Sequence, residues 1–390
     1  MTTLRLAFRN IWGAGLRTWL NVLSLSFAFV AIIFLQGLYN GMSTQVETAT
    51  MAAQYAGGQY WQADYDPYDP LTLEDAHAAL PPALEQLVTA GKAVPILIRA
   101  ATIYPNGRFQ NVVLKGIPPS QKVLTIPTHV LESDDDAVPA LIGRRMARTT
   151  GLGKGDYVTA RWRDTGGTFD ADEIRIVEVM QTDVSGIDSG QLWIPMEKLR
   201  AMTAMPGEAT MVVLENGSSF NEPVTGWTLR DLDFLLKDLR DLFVSKSIGG
   251  SVFYFMLLLL AMLAIFNTQV LSVFRRRKEM GTLMALGMTR GNVIGLFTLE
   301  GAMYAVLAAA AAAVYGLPLL LYMAANGFGL PEATDNFGLS IGTRIFPAYS
   351  VGLILGTTLL VLAVTTVVSY LPTRKIAKLK PTDALRGRFS

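Results

Sequence analysis

Four long apolar stretches, one before and three after a polar block, constrain this chain more than any other feature. They lie at residues 19–42, 248–274, 293–323 and 346–371. Each is long enough to cross a bilayer as a helix, which takes roughly 20 apolar residues. Glu300 is the only formal charge in all four. The expected fold is an α-helical membrane protein with four transmembrane helices in a one-plus-three layout. A large extracytoplasmic mixed α/β domain, residues 43–247, is expected on a helical stalk between the first two spans. All soluble folds and most enzymes are excluded by this layout.

The charges give the orientation. Segments 1–18, 275–292 and 372–390 together hold 14 Lys and Arg against only Glu279 and Asp383, whereas 43–247 holds 18 basic and 27 acidic residues. The short connection 324–345 carries Arg344 with Glu332 and Asp335. Basic residues concentrate on the cytoplasmic side of a membrane protein. Both termini and the 275–292 loop are therefore expected in the cytoplasm, and the polar block outside. A net charge of +1 for the whole chain averages over this split and carries no information about partners. The first apolar run exceeds a signal-peptide core and no small-residue cleavage site follows it, so it reads as a signal anchor. No cysteine is present for disulfide or thiolate chemistry, and the two histidines, His77 and His129, lie far apart in the polar block. No metal site is expected, and both histidines read as structural.

Residues 3–18 place Leu4, Phe8, Ile11 and Trp12 near helical spacing, with Arg5, Arg9 and Arg17 between them. That pattern predicts an amphipathic helix in the cytoplasmic interface, with plain positive flanking of the first span as the alternative. No proline interrupts 38–56 and Gly57-Gly58 ends the pattern, so the first helix is expected to continue beyond the bilayer. On the return side Leu229, Leu232, Leu235, Leu236, Leu239, Leu242 and Phe243 recur every three or four residues. They predict a second helix leading into the next span, with a flex at Gly249-Gly250. As a helix, 229–247 would stand roughly 28 Å tall at ~1.5 Å per residue. Motion in the membrane would reach the outer domain through these two rods.

Between the rods, strands are predicted at 95–98, 111–115, 157–162, 174–179, 191–194 and 211–214, with a hairpin turn at Asn106-Gly107 and helices at 73–89 and 197–205. The glycine-rich stretch 151–156 around Lys154 is no phosphate-binding loop. Gly155 stands where Ser or Thr is required, and the leading glycine is missing. It is expected as a turn into the following strand. No spacing of acid, base and nucleophile suggests a catalytic site. The run Asp134-Asp135-Asp136 reads as a solvated loop. Tyr60, Trp61, Tyr65 and Tyr68, beside Asp64, Asp66 and Asp69, form either a binding patch or packing at the base of the domain.

The most specific motif is the loop between the second and third spans. From Arg275 to Arg290 it reads Arg-Arg-Arg-Lys-Glu-Met-Gly-Thr-Leu-Met-Ala-Leu-Gly-Met-Thr-Arg, and Glu300-Gly301 follows in the next span. It resembles the loop of ABC-transporter permeases of the MacB, FtsX and LolC/LolE superfamily, close to "RRREIG-LRALG-TR" and then "LEG". The segment from Leu371 to Arg386 resembles that superfamily's "P-RRAARL-PVEALR" ending. A short helix at 279–286 is expected, with Met280, Leu283, Met284 and Leu286 able to enter a cleft. Topological anchoring accounts for the basic residues 275–278 but not for the apolar ones after them.

The resemblance implies a permease subunit rather than an enzyme. ATP and magnesium belong to a separate cytoplasmic ABC ATPase dimer, and this chain itself binds no cofactor. Lys278, Glu279, Met280, Gly281, Leu283, Leu286 and Gly287 are the implied ATPase-coupling residues. The segments Gly57-Gly58-Gln59-Tyr60-Trp61, 114–119 and 142–156 resemble lipoprotein-releasing LolC/LolE-type permeases. That implies a multi-pass protein of the bacterial inner membrane, handing a lipoprotein or other hydrophobic cargo to a periplasmic carrier. A MacB-like efflux permease of a tripartite pump and an FtsX-like regulator of a cell-wall hydrolase are the alternatives. FtsX-like proteins usually have a smaller outer domain. MacB-like chains carry an N-terminal ATPase, whereas this chain is expected to start directly with the permease. Four spans make a thin wall, so a second permease, identical or different, is expected; nucleic acid is not. Leu35, Leu38 and Met42, with Val252, Phe255 and Met256, are candidates to line a cargo route, with packing between helices as the plainer role for any one of them.

Overall fold

The structure, a computed structural model, describes residues 16–132, 137–182, 184–329 and 344–377. Residues 1–15 of the expected amphipathic segment, the acidic run 134–136, most of the 324–345 connection and the tail beyond Ala377 lie outside the described residues. Along the chain come α1 (Leu16–Thr50), a π-helical turn (Met51–Tyr55), β1 (Gln59–Gln62), β2 (Ala78–Ala79), α2 (Pro82–Thr89), β3 (Ala93–Ile103) and β4 (Gln110–Ile117). Then follow β5 (Val138–Gly143), α3 (Arg144–Thr150), β6 (Tyr157–Arg163), β7 (Phe169–Met180), α4 (Ser185–Asp188), β8 (Gln191–Pro195), α5 (Met196–Thr203), β9 (Glu208–Ala209), β10 (Met211–Leu214) and β11 (Trp227–Arg230). The last elements are α6 (Leu232–Arg275), α7 (Arg277–Ala285), α8 (Arg290–Asn326), β12 (Phe328–Gly329), β13 (Arg344–Ile345) and α9 (Val351–Ala377). Two compact units result: Thr44–Leu242, and the remaining described residues with Phe243–Gly329 at their centre.

In the helical unit, α1, α6, α8 and α9 are each long and apolar enough to cross a membrane. Their shared core includes Leu25, Phe29 and Ile33 of α1, Ala261 and Ile265 of α6, Tyr304 and Ala308 of α8, and Val361 and Val368 of α9. Small residues let the backbones approach, as is usual where lipid removes the hydrophobic drive between helices. A Cβ on Gly301 would lie 2.1 Å from Ser369 Oγ and 2.3 Å from Ser369 Cβ, so α8 and α9 touch here. Gly301→Val is therefore expected to lower stability by about 1–3 kcal/mol, read as an earlier thermal unfolding transition of the detergent-solubilised protein. The same substitution at Gly295, where nothing lies within 4 Å, is the control.

The mixed unit is built on a nine-stranded sheet ordered β11-β1-β10-β3-β4-β8-β5-β7-β6. The first half of β3 pairs with β10, and its end, Ala101 to Ile103, pairs with β6. That second pairing closes β3, β4, β8, β5, β7 and β6 into a six-stranded barrel, with β4–β8 and β5–β7 parallel and the other pairs antiparallel. Side chains alternate across each strand. Leu97, Val112, Leu114, Ala140, Ile142, Ala160, Trp162, Ile174, Leu192 and Ile194 fill the interior. Ile96, Ile98, Ile117, Leu141 and Trp193 belong to a second core on the outer face, which Trp61, Met211 and Leu235 complete.

Five of the six predicted strands lie inside longer ones and the sixth, 211–214, coincides with β10, while Asn106 (φ 53°) and Gly107 (φ 75°) turn β3 into β4. Three expectations need correction. The helix predicted at 73–89 is a 3-10 turn (Pro70–Glu74), β2 and then α2, because Pro81-Pro82 sets a new helix start. The return helix begins at Leu232, since residues through Arg230 form β11 against β1. Gly249-Gly250 makes no break: α6 runs continuously to Arg275. Gly250 instead leaves room for Tyr39, whose ring carbon would lie 3.3 Å from an added Cβ. The 151–156 stretch is the expected turn, closed by Gly153 N–H donating to Asp156 Oδ2 at 2.8 Å, with Lys154 paired to Glu178 at 2.6 Å.

Candidate functional site

The loop motif folds as a clamp. Arg276 separates α6 from α7, and its guanidinium bonds in three directions. Nε donates to Glu279 at 2.7 Å, and Nη1 donates to the two carboxylate oxygens of Glu300 at 2.8 and 2.7 Å. The same group sits 4.7 Å from the ring centre of Phe297. Glu300 is buried. The lone charge of the four apolar stretches is thus neutralised by a residue of the adjoining loop. Beside this pair Met280, only 1% exposed, packs with Val273, Val293, Leu296 and Phe297, and Leu283, Met284 and Met288 flank the cluster.

The rest of the motif is a helix stop and a helix start. Gly287 adopts φ 97° and its N–H returns to Met284 O at 3.1 Å. Thr289 then caps α8, its side chain accepting from Asn292 N–H at 3.3 Å. These contacts correct part of the sequence reading. Met280 is committed to the cluster that holds α7 against α6 and α8, so it is not presented to a partner. Gly281 is buried and Leu283 half-buried, whereas Lys278, Glu279 and Gly287 are exposed and Leu286 is 80% exposed. The outward surface of α7 and the turn after it therefore includes Lys278, Glu279 and Leu286 rather than Met280.

Near the other end of α6, Tyr39 OH lies 3.5 Å from Lys246 O, which brings α1 and α6 together. Leu35, Leu38 and Met42 are half-buried around this level, and Val252, Phe255 and Met256 on α6 are each more than half exposed. The six do not enter the common core of the helices.

The MacB-like periplasmic core domain family matches residues 18–222, and the FtsX-like permease C-terminal family matches residues 251–381. The chain belongs to the MacB/FtsX-like family of ABC-transporter permeases. The uncharacterized ABC transporter permease MJ1507 of Methanocaldococcus jannaschii is 30% identical to this permease over 134 residues, 33% of this chain and 30% of that protein's length. The extracellular domain of the noncanonic ABC-type transporter YknZ from Gram-positive bacteria is 15% identical, with a TM-score of 0.27, over 42% of this chain and 84% of that one. The periplasmic region of MacB from Actinobacillus actinomycetemcomitans is 10% identical, with a TM-score of 0.32, over 49% of this chain and 95% of that one. As a family member the permease is a membrane protein with a MacB-like periplasmic core domain.

Two features of the permease escaped the sequence reading. One is the Arg276–Glu300 pair: the motif showed both residues, but not that they meet. The other is Lys115 in the mixed domain. Its register partner on β8 is Trp193, over whose ring its ammonium lies 4.9 Å from the centre. Among the described residues no hydrogen bond or ion pair engages Lys115. Burial pushes this ammonium down to about 8. A signal did exist, since Lys115 interrupts the outward alternation of Val113 and Ile117 on a strand whose other neighbours are apolar. The aromatic cluster also divides. Tyr60 is fully buried against Phe220, whereas Trp61, Tyr65 and Tyr68 line a cavity with Lys115. His77 bonds Glu208 where β2 meets β9, a structural role.

Proposed function

We propose that this permease works by mechanotransmission in an ABC transporter that releases lipoproteins from the inner membrane to a periplasmic carrier. Two permease chains, identical or different, pair with a cytoplasmic ATPase dimer that holds the ATP and magnesium. The chain's termini lie in the cytoplasm and its mixed domain in the periplasm, as the charge distribution favours. The observation that carries the reading is the clamp of Arg276 on Glu279 and Glu300. It joins α7 to α8 through an ion pair and an apolar cluster. A force on the exposed face of α7 then moves the apolar helices instead of bending the loop. The exposed apolar side chains of Val252, Phe255 and Met256 favour a lipidated cargo, since each buried methylene of an acyl chain contributes ~0.8 kcal/mol.

One experiment tests both halves. A photo-crosslinking residue at Phe255 in cells is expected to capture a lipoprotein, and in membranes the adduct is expected to disappear on addition of ATP and a carrier. With Leu286→Asp the chain should insert normally and still capture cargo. The adduct should then persist in ATP, and stimulation of the ATPase should fall at least tenfold, because burying an unpaired charge at the docking surface costs several kcal/mol. Adducts only with a small molecule would point to efflux. Adducts only with an activator of cell-wall hydrolysis would point to regulation. Undiminished stimulation in Leu286→Asp would remove α7 from the ATPase contact.

A further inference from the structure

The mixed domain carries a cavity of about 450 Å³ whose construction is that of a ligand site. Small-molecule sites fall at about 300–1,000 Å³, mostly apolar with a few polar groups that fix orientation. Trp61, Tyr65, Trp193 and Phe234 supply the apolar wall, and Lys115 supplies a cation. The rings are braced. Tyr65 and Phe234 stand edge-on to Trp61, with centres 5.2 and 6.0 Å away, and Arg230 stacks 4.4 Å from the Phe234 ring. The wall is therefore preformed, which removes part of the ordering cost of binding.

The polar groups are what make the cavity informative. Gln59, in the wall, is already satisfied: its amide donates to Gln54 O at 2.8 Å and its carbonyl accepts from Trp61 Nε1 at 2.7 Å. Tyr68 OH donates to Asp238. Among the described residues Lys115 makes no ion pair or hydrogen bond, and the indole Nε1–H of Trp193 is buried without an acceptor. A buried charge is ordinarily paired, and a buried donor ordinarily bonded. Both shortfalls belong to adjacent residues on β4 and β8, and both call for an acceptor oxygen carrying negative charge.

We propose that this cavity binds a monoanionic carboxylate with an apolar body, its head held by Lys115 and its body against Trp61, Tyr65 and Phe234. Lys115 is the buried cation of the site, and the exposed Lys237 and Asp238 that also line it offset each other, which leaves one positive charge to match one negative charge. A dianionic phosphate would remain undercompensated, with Asp238 also lining the space. Such a carboxylate is either a free aromatic acid or a fatty acid, and the two differ only in the shape of the body.

The test uses the full chain in nanodiscs of zwitterionic lipid, with empty nanodiscs subtracted, and equilibrium dialysis of 2-naphthoate, 2-naphthamide and dodecanoate. Saturable binding of 2-naphthoate or dodecanoate to one site per chain is expected. The better of the two identifies an aromatic or an acyl body. Lys115→Met is expected to weaken that binding at least tenfold, Trp193→Phe by a smaller factor, and 2-naphthamide should bind at least tenfold more weakly than 2-naphthoate.

A pH series on the unaltered chain supplies a readout that survives misfolding of any variant. The charged and titratable groups facing Lys115 are Tyr55, Tyr65, Tyr68, Lys237 and Asp238, with Arg230 behind Phe234. Burial raises the Tyr55 and Tyr65 phenols, and the bond to Asp238 pushes Tyr68 up to about 12. Loss of affinity through pH 8–9 therefore reports Lys115. Absence of saturable binding by both acids, equal binding by Lys115→Met, or affinity that stays flat from pH 7 to 9.5 would overturn the proposal.

Discussion

Arg276→Met is expected to lower the stability of the helical unit by about 3–5 kcal/mol, the usual cost of stranding one member of a buried ion pair. Glu300 would then sit among apolar helices with no cation, and only 6% of its side chain reaches the surface. Glu300→Gln alone should cost less, about 1–3 kcal/mol, because Arg276 keeps Glu279 at 2.7 Å and the amide carbonyl still accepts a bond. In the double variant Arg276→Met with Glu300→Gln, most of the loss should be recovered, since no uncompensated charge remains. Unfolding in detergent, followed for all four proteins, gives the coupling directly as a double-mutant cycle. Additive losses would mean that the two side chains do not act as a pair. ATPase stimulation adds a second reading: the double variant should fold, yet remain uncoupled, because the polar link from α7 to α8 is gone.

The same pair marks what the sequence makes legible. Periodicity and length identify α1, α6, α8 and α9 because a span needs a long, uniform apolar run, which few other structures use. Strand positions are readable for a similar local reason: a short β-branched and apolar run marks 111–115, and the alternation in 157–162 is imposed by the pleat. Closure of the barrel is not readable. It depends on Ala101 to Ile103 meeting Ala160 to Trp162 across nearly sixty residues of chain, and nothing local in either segment specifies the other. The burial of Met280 within its own chain is unreadable for a related reason. An apolar residue on a short helix has two possible coverings, a partner or its own fold, and composition does not choose between them. Packing against Val293 and Phe297 does. Leu286, one residue beyond the end of α7, is the apolar side chain left uncovered. Lys115 shows the opposite case, a polar residue that local pattern places on a buried face without saying why.

Lys115→Met is expected to stabilise the mixed domain. The free lysine side chain loses its proton near 10.5, and in this fold it does so near 8. Below pH 8 both folded and unfolded chains carry the proton, and the folded state bears the full penalty of holding a desolvated cation. Between about 8 and 10.5 the unfolded chain binds more protons, so the free energy of unfolding rises with pH across that window. The difference corresponds to about 3 kcal/mol at pH 7. Methionine keeps the length of the stem and its contact with Trp193 while removing the charge. The variant should therefore gain up to about 3 kcal/mol at pH 7, or roughly 5–10 °C in Tm for a domain of this size, and should lack the rise between pH 8 and 9.5. Measurement stays below pH 10, because the raised phenols of Tyr55, Tyr65 and Tyr68 make stability fall above it. A residue whose removal stabilises the fold while abolishing carboxylate binding is retained for binding, the trade-off expected of a functional site. Destabilisation by Lys115→Met at pH 7 would instead make the ammonium a structural element of the cavity wall.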